Sequence, residues 1–192
     1  MHPVFIPLFG TLSYFLLAPH YLTTWQQFLV AMQVSILTIF IPVSFYFLLR
    51  ALGRVDSLMV AKVSQRKLPL LIQSVLLFLL VSKSVTIDKI PELYFFFLAA
   101  LASTMAALAF SLLKVKVSLH MMGISAITVF TVVLSILHHA NAILLISTLV
   151  FANGLTASSR LQMKAHSETE LILGLICGVL PQIAIGYVYL YL

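Results

Sequence analysis

The stretch Glu92-Leu-Tyr-Phe-Phe-Phe-Leu-Ala-Ala-Leu-Ala-Ser-Thr-Met-Ala-Ala-Leu-Ala-Phe-Ser-Leu-Leu113 decides the fold. Its 22 residues contain no proline, no glycine and, after Glu92, no charge. As a helix rising 1.5 Å per residue it would be about 33 Å long, enough to cross a hydrocarbon core about 30 Å thick. The stretch predicts a transmembrane helix, and the sequence on either side repeats the pattern. Further apolar runs fall at 4–18, 26–49, 68–82, 119–137, 141–157 and 170–191, separated by polar or turn-forming residues. The run at 4–18 is short and holds Pro7 and Gly10, so a tilted, broken or re-entrant helix is expected there. Pro42 and Pro181 predict kinks in the second and last helices.

Composition agrees. Of 192 residues, 62% are apolar and 8% charged, against about 25% charged in an ordinary soluble domain. The expected fold is an all-α, polytopic transmembrane helix bundle of about six or seven spans. At about 20 residues per span, residues 1–192 make a single integral membrane domain. The opening Met-His-Pro-Val-Phe-Ile-Pro lacks a basic segment and a small-residue cleavage pattern, so the first run is expected to stay in the mature protein.

If every run crosses, the loops 50–67, 114–118 and 158–169 share one side, because two helices separate each from the next. Arg50, Arg54, Lys62, Arg66, Lys67, Lys114, Lys116, Arg160 and Lys164 then lie on one face, with Lys83 and Lys89 opposite. Tyr21, Trp25, Tyr187, Tyr189 and Tyr191 fall near the other interface, as an aromatic belt does. The positive-inside rule makes the nine-cation face cytoplasmic.

The carboxylates are Asp56, Asp88, Glu92, Glu168 and Glu170. Magnesium-dependent prenyl or CDP-alcohol chemistry needs clustered acids, and the two aspartates lie 32 positions apart. The lone Cys177 excludes an intrachain disulfide and a C-x-x-C metal site. A net charge of +6 is what anionic headgroups, a phosphate-bearing substrate or topology signals would each produce. Membrane lipids are the expected partners, and no nucleic acid is.

Two histidines share the cationic face, each at the start of a helix: His120 in Ser118-Leu119-His120 and His166 in Ala165-His166-Ser167-Glu168-Thr169-Glu170. Ionisable residues at a membrane boundary are costly and often functional. Among cations, two histidines suit a phosphate ester: one attacks phosphorus, the other protonates the leaving oxygen, a carboxylate orients the nucleophile and arginines neutralise the phosphoryl oxygens. Amides at two helix N-termini would support the same anion.

At these residues the chain resembles the type 2 phosphatidic acid phosphatase superfamily, the membrane branch of the vanadium haloperoxidase-like acid phosphatases. That family's third motif, S-R, five residues, H, three residues, D, is matched by Ser159-Arg160, His166 and Glu170, with Glu in place of Asp. Its P-S-G-H motif is reduced to Ser118-Leu119-His120, and its K, six residues, R-P motif finds only Lys62, Arg66, Lys67 and Pro69. The likeness covers about residues 54–180 and is greatest to a small, divergent bacterial subgroup.

The resemblance implies a lipid phosphate or diphosphate as substrate, His166 as a nucleophile forming a phosphohistidine, Glu170 holding its other nitrogen, and His120 as general acid. It further implies phosphate binding by Arg160, Arg66, Lys62 or Lys67, and Ser118, with no metal or other cofactor. It also implies a site opening away from the cytoplasm, against the charge count. The degraded first motif leaves a second function in view, a catalytically lapsed homologue that binds or moves an anionic lipid.

Structural readings compete at several of these positions. Ser167 and Glu170 are also the S-x-x-E pattern of a capping box, and Ser118 is also an N-cap. Lys164 reads as a snorkelling anchor, and Lys114 and Lys116 as topology and headgroup contacts. His138 and His139 read as solvated turn residues, and His2 and His20 have no visible partner. Gly174 and Gly178 form G-x-x-x-G, which lets neighbouring helices of a bundle approach closely. Tyr94, Phe95, Phe96 and Phe97 read as lipid-facing or packing surface.

Overall fold

The computed structural model describes residues 2–19, 22–54 and 63–190. A short 3-10 turn, Pro3–Phe5, leads into α1 (Ile6–Leu17). Helices α2 (Thr24–Ser35) and α3 (Ile41–Ala51) are joined end to end through a wide π turn at Ile36–Phe40. Then follow α4 (Val63–Leu79), with a second π turn at Leu80–Ser84, α5 (Pro91–Leu112), α6 (Leu119–Leu137), α7 (Ile143–Gln162) and α8 (Glu168–Leu190). Among the described residues there is no strand.

Among the described residues six stretches are long and apolar enough to cross a membrane: Thr24–Ala51, Gln65–Ser84, Pro91–Leu112, Leu119–Leu137, Ile143–Gln162 and Glu168–Tyr189. The protein is an all-α bundle of membrane helices. The first apolar run is the exception. Pro3–Leu17 reaches only about 22 Å, too short to span alone, and it packs one face against the bundle with Ile6, Gly10, Thr11, Ser13 and Tyr14 buried. Gly10 is what admits it there, because a Cβ at that position would collide with the Phe96 ring.

At Pro42 the helix changes its hydrogen bonding. The proline's missing N–H would leave the Thr38 carbonyl without a helical donor. The turn just before it widens, so that the amide of Ile41 reaches back to the carbonyl of Ile36. Pro69 and Pro181 both sit inside their helices.

The core centres on Tyr14, Val34, Leu77, Leu80, Leu93, Phe97 and Leu134. Phe96 stacks on Phe130 with ring centroids 4.4 Å apart, so the aromatic run of α5 is packing surface. By contrast α7 buries no residue completely, and Ile143, Leu144 and Phe151 are exposed, as lipid-facing side chains are.

Two glycines set the distance between α6 and α8. A Cβ on Gly174 would stand 2.6 Å from the carbonyl oxygen of Ser118, and one on Gly178 would overlap Ser125 Oγ and the Met122 carbonyl. The G-x-x-x-G pair is thus a seam within the bundle, seating one helix backbone directly on another.

Helices α5, α6 and α7 all end in the same way. Lys114, His139 and Lys164 take left-handed backbone conformations, φ 62°, 51° and 48°. After α7, the amide of Lys164 bonds Leu161 O at 2.9 Å and that of Ala165 bonds Arg160 O at 3.0 Å, the paired contacts of a Schellman cap. This cap folds residues 165–166 back over the end of α7.

At the far end of the bundle Tyr189 Oη donates to Glu92 Oε1 at 3.1 Å, and His138 Nε2 lies 3.3 Å from the same oxygen. His138 is therefore largely buried against a carboxylate and is no solvated turn residue, because the cap of α6 turns its ring inward.

A paired substitution tests the seam. Gly178→Ala should destabilise the protein by about 1–3 kcal/mol, the usual cost of overpacking. Gly186→Ala, in open space on the same helix, should be neutral or stabilising by up to about 1 kcal/mol. Thermal melting in detergent reads both.

Candidate active site

The site is assembled on the end of the bundle where α4, α6 and α8 begin and α5 and α7 end. His166 directly precedes Ser167, which caps α8 by accepting the amide of Glu170 at 3.3 Å. That is half a capping box. The other half does not form in the usual way, because the Glu170 carboxylate turns to His166, with Oε2 at 2.7 Å from Nδ1. The same oxygen lies 3.7 Å from Lys116 Nζ. The contact is made across the cap, with His166 just before Ser167 and Glu170 in the first turn of α8.

The loop between α5 and α6 is held by three hydrogen bonds, one from α4 and two to this turn. Arg66 Nη1 donates to Val117 O at 2.7 Å, the amide of Ser118 donates to Glu170 O at 3.1 Å, and Lys116 Nζ donates to Ala165 O at 2.5 Å. The N-termini of α6 and α8 thereby lie side by side. The clamp uses one of the five N–H donors of Arg66, whose side chain is buried here at 6% exposure.

His2, Arg66, Lys116, His120, Arg160 and His166 all line one cavity of about 340 Å³, which continues between α3, α4, α5 and α6 toward Leu77 and Phe96. Glu170 stands behind His166 and is not itself part of the wall. Four of the residues read from the sequence, His120, His166, Arg160 and Arg66, are thus brought together at the cavity mouth. Two others are not. Ser118 is fully buried, its hydroxyl capping α6 by accepting the amide of Met121 at 3.4 Å and its own amide taken by Glu170. Lys67 does not line the cavity, and Lys62 lies outside the described residues. Among the described residues no group of three or more His, Cys, Asp or Glu side chains is placed to hold a metal ion.

His2 is the residue that the sequence did not reveal. Its ring stands edge-on to His120, centroids 5.8 Å apart, and its Nδ1 accepts the amide of Val4 at 3.3 Å. Only the return of α1 through the bundle brings it there, and no local pattern signals that return. Lys116 likewise acts here as the loop clamp and as a neighbour of Glu170.

Two groups at the rim have displaced proton equilibria. Burial lowers the pKa of His166 below 6.5, with Lys116 and Arg66 pushing the same way; the hydrogen bond to Glu170 and its charge oppose the shift without cancelling it. His2 is lowered by burial first and by Arg160 second. Both rings are therefore neutral at pH 7. With Glu170 accepting at Nδ1, neutral His166 carries its proton on Nδ1 and keeps the Nε2 lone pair free.

Compared with known protein families, with curated proteins and with solved structures, the chain matches none of them.

The proton balance at His166 is open to test. Glu170→Ala removes both contributions that raise the pKa, so histidine NMR should find His166 titrating at lower pH than in the wild type. The sign for stability follows. The folded protein refuses a proton that the unfolded chain binds, so stability falls as pH drops below 6.5, and it should fall more steeply in the variant.

Proposed function

We propose that this protein is a membrane lipid-phosphate phosphatase, hydrolysing a lipid phosphate or diphosphate through a phosphohistidine intermediate. The observation that carries this reading is the 2.7 Å contact between His166 Nδ1 and Glu170, at the mouth of a cavity that leads down into the membrane interior. Bound to the carboxylate through Nδ1–H, the ring directs Nε2 at phosphorus. As the Nε2–P bond forms, the P–O bond to the lipid breaks, and His120 delivers a proton to the departing oxygen. Water then attacks the phosphohistidine, His120 takes up its proton, and phosphate leaves with His166 regenerated.

Arg160 and Arg66 balance the charge that accumulates on the phosphoryl oxygens, aided by the paired N-termini of α6 and α8. The carboxylate makes His166 a better nucleophile by favouring the imidazolium-like charge that develops in the transition state. We assign the site to the cytoplasmic face of a bacterial inner membrane, on the excess of Lys and Arg at that end of the bundle.

Purified protein should release phosphate from at least one member of a panel of lipid phosphates. His120→Ala should lower the rate at least about 100-fold and His166→Ala should abolish it. Vanadate, which adopts the pentacoordinate geometry, should inhibit. Equal rates in wild type and both variants would overturn the mechanism. Retention of anionic lipid without phosphate release would mark a lipid-binding protein in its place.

Sidedness is checked separately with Lys164→Cys in a Cys177→Ala background. A membrane-impermeant maleimide should label it in inverted membrane vesicles and leave it unlabelled in intact cells.

A further inference from the structure

Lys116 carries a charge that the fold does not use. Its Nζ donates to Ala165 O at 2.5 Å, which ties the loop before α6 to the turn after α7, and any neutral donor would serve for that bond. The charge comes at a cost. The side chain is 23% exposed, so the ammonium has given up much of its water. It also pushes the pKa of His166 down, against the effect of Glu170.

Glu170 does not account for the charge either. Nζ stands 3.7 Å from Glu170 Oε2, beyond hydrogen-bond distance, whereas His166 Nδ1 holds the same oxygen at 2.7 Å. An ion pair as open to water as this one contributes little to stability. Of the three N–H groups of the ammonium, one goes to Ala165 and one lies toward Glu170. Lys116, Ala165 and His166 all line the cavity. Among the described residues of its wall there are three cations, Arg66, Lys116 and Arg160, and no carboxylate, so the wall attracts an anion.

We propose that Lys116 is a phosphate-binding residue, giving its remaining donor to an anionic oxygen of the ligand while Glu170 stays on His166. That the anion is a phosphate rests on the phosphatase reading. No motif of the family likeness contains Lys116, and in the sequence it reads as a topology signal. Only the folding of its loop onto the turn before α8 brings it to the cavity. Its role differs from that of Arg66, whose planar fork is fixed by the bond to Val117 O at 2.7 Å. An ammonium on a four-carbon stem is a mobile point charge, suited to an oxygen that shifts as phosphorus approaches His166 Nε2.

The test uses the full chain in detergent and inorganic phosphate at constant ionic strength, with the ring signals of His166 followed by NMR. Phosphate should move those signals in the wild type. Lys116→Gln keeps a donor for Ala165 O and loses the charge. It should weaken phosphate binding at least about tenfold, as the loss of one charge-assisted hydrogen bond does. Its His166 should titrate at higher pH than in the wild type, which marks the altered site as assembled. Lys114→Gln removes an equal charge from an exposed position of the same loop that does not line the cavity, and should weaken binding less than about twofold because exposed charges are screened. Unmoved His166 signals in the wild type, binding retained in Lys116→Gln, or an equal loss in Lys114→Gln would each overturn the assignment.

Should Lys116→Gln fail to assemble, acetylation of the wild type mapped by mass spectrometry decides. Phosphate should slow the modification of Lys116 and leave that of Lys114 unchanged; equal slowing, or none, overturns the assignment. Inorganic phosphate asks for no turnover. The assignment can therefore fail in a protein that hydrolyses lipid phosphates, and hold in one that hydrolyses none.

Discussion

Where α8 crosses α6, Gly174 and Gly178 leave no room for a methyl group between the two backbones. Everything at the candidate site depends on that closeness. It lets the amide of Ser118 bond the carbonyl of Glu170, which sets the N-terminus of α6 beside that of α8. His120 and His166 come from these two turns, so their meeting at one cavity mouth follows from a seam of missing side chains. In a bilayer the association of helices gains little from burying apolar surface, since lipid tails are as apolar as leucine. Backbone proximity and a few buried polar bonds carry the specificity instead, and here Arg66, Lys116 and Ser118 supply the polar bonds.

Much of this was legible in the sequence because it is local or periodic. Runs of apolar residues set the number of spans to within the one short helix, and the motif likeness pointed to a contact between His166 and Glu170 that the cap of α8 brings about. The small-residue pair of α8 announced a close crossing. At Ser118 and Glu170 the local pattern offered two readings apiece. Packing resolved them differently: Ser118 became the cap, while Glu170 kept its backbone in the cap and gave its side chain to the histidine.

The rest was illegible for a common physical reason. His2 and His138 take their surroundings from elements distant in the chain, and nothing in their immediate neighbours reports it. The run at 4–18 read as a weak span because length and glycine content were visible, whereas its burial depended on Gly10 finding the face of Phe96 across the bundle.

The course of α1 also has a practical consequence for handling the protein. His2 stands at the cavity mouth, while α8 runs away from that mouth to Leu190 at the other end of the bundle. A purification tag or fluorescent reporter fused ahead of His2 therefore begins beside the cavity, and one attached after α8 starts from the other end of the bundle. The two fusions are not equivalent preparations, and the one carrying its passenger at the C-terminal end keeps the mouth of the cavity clear.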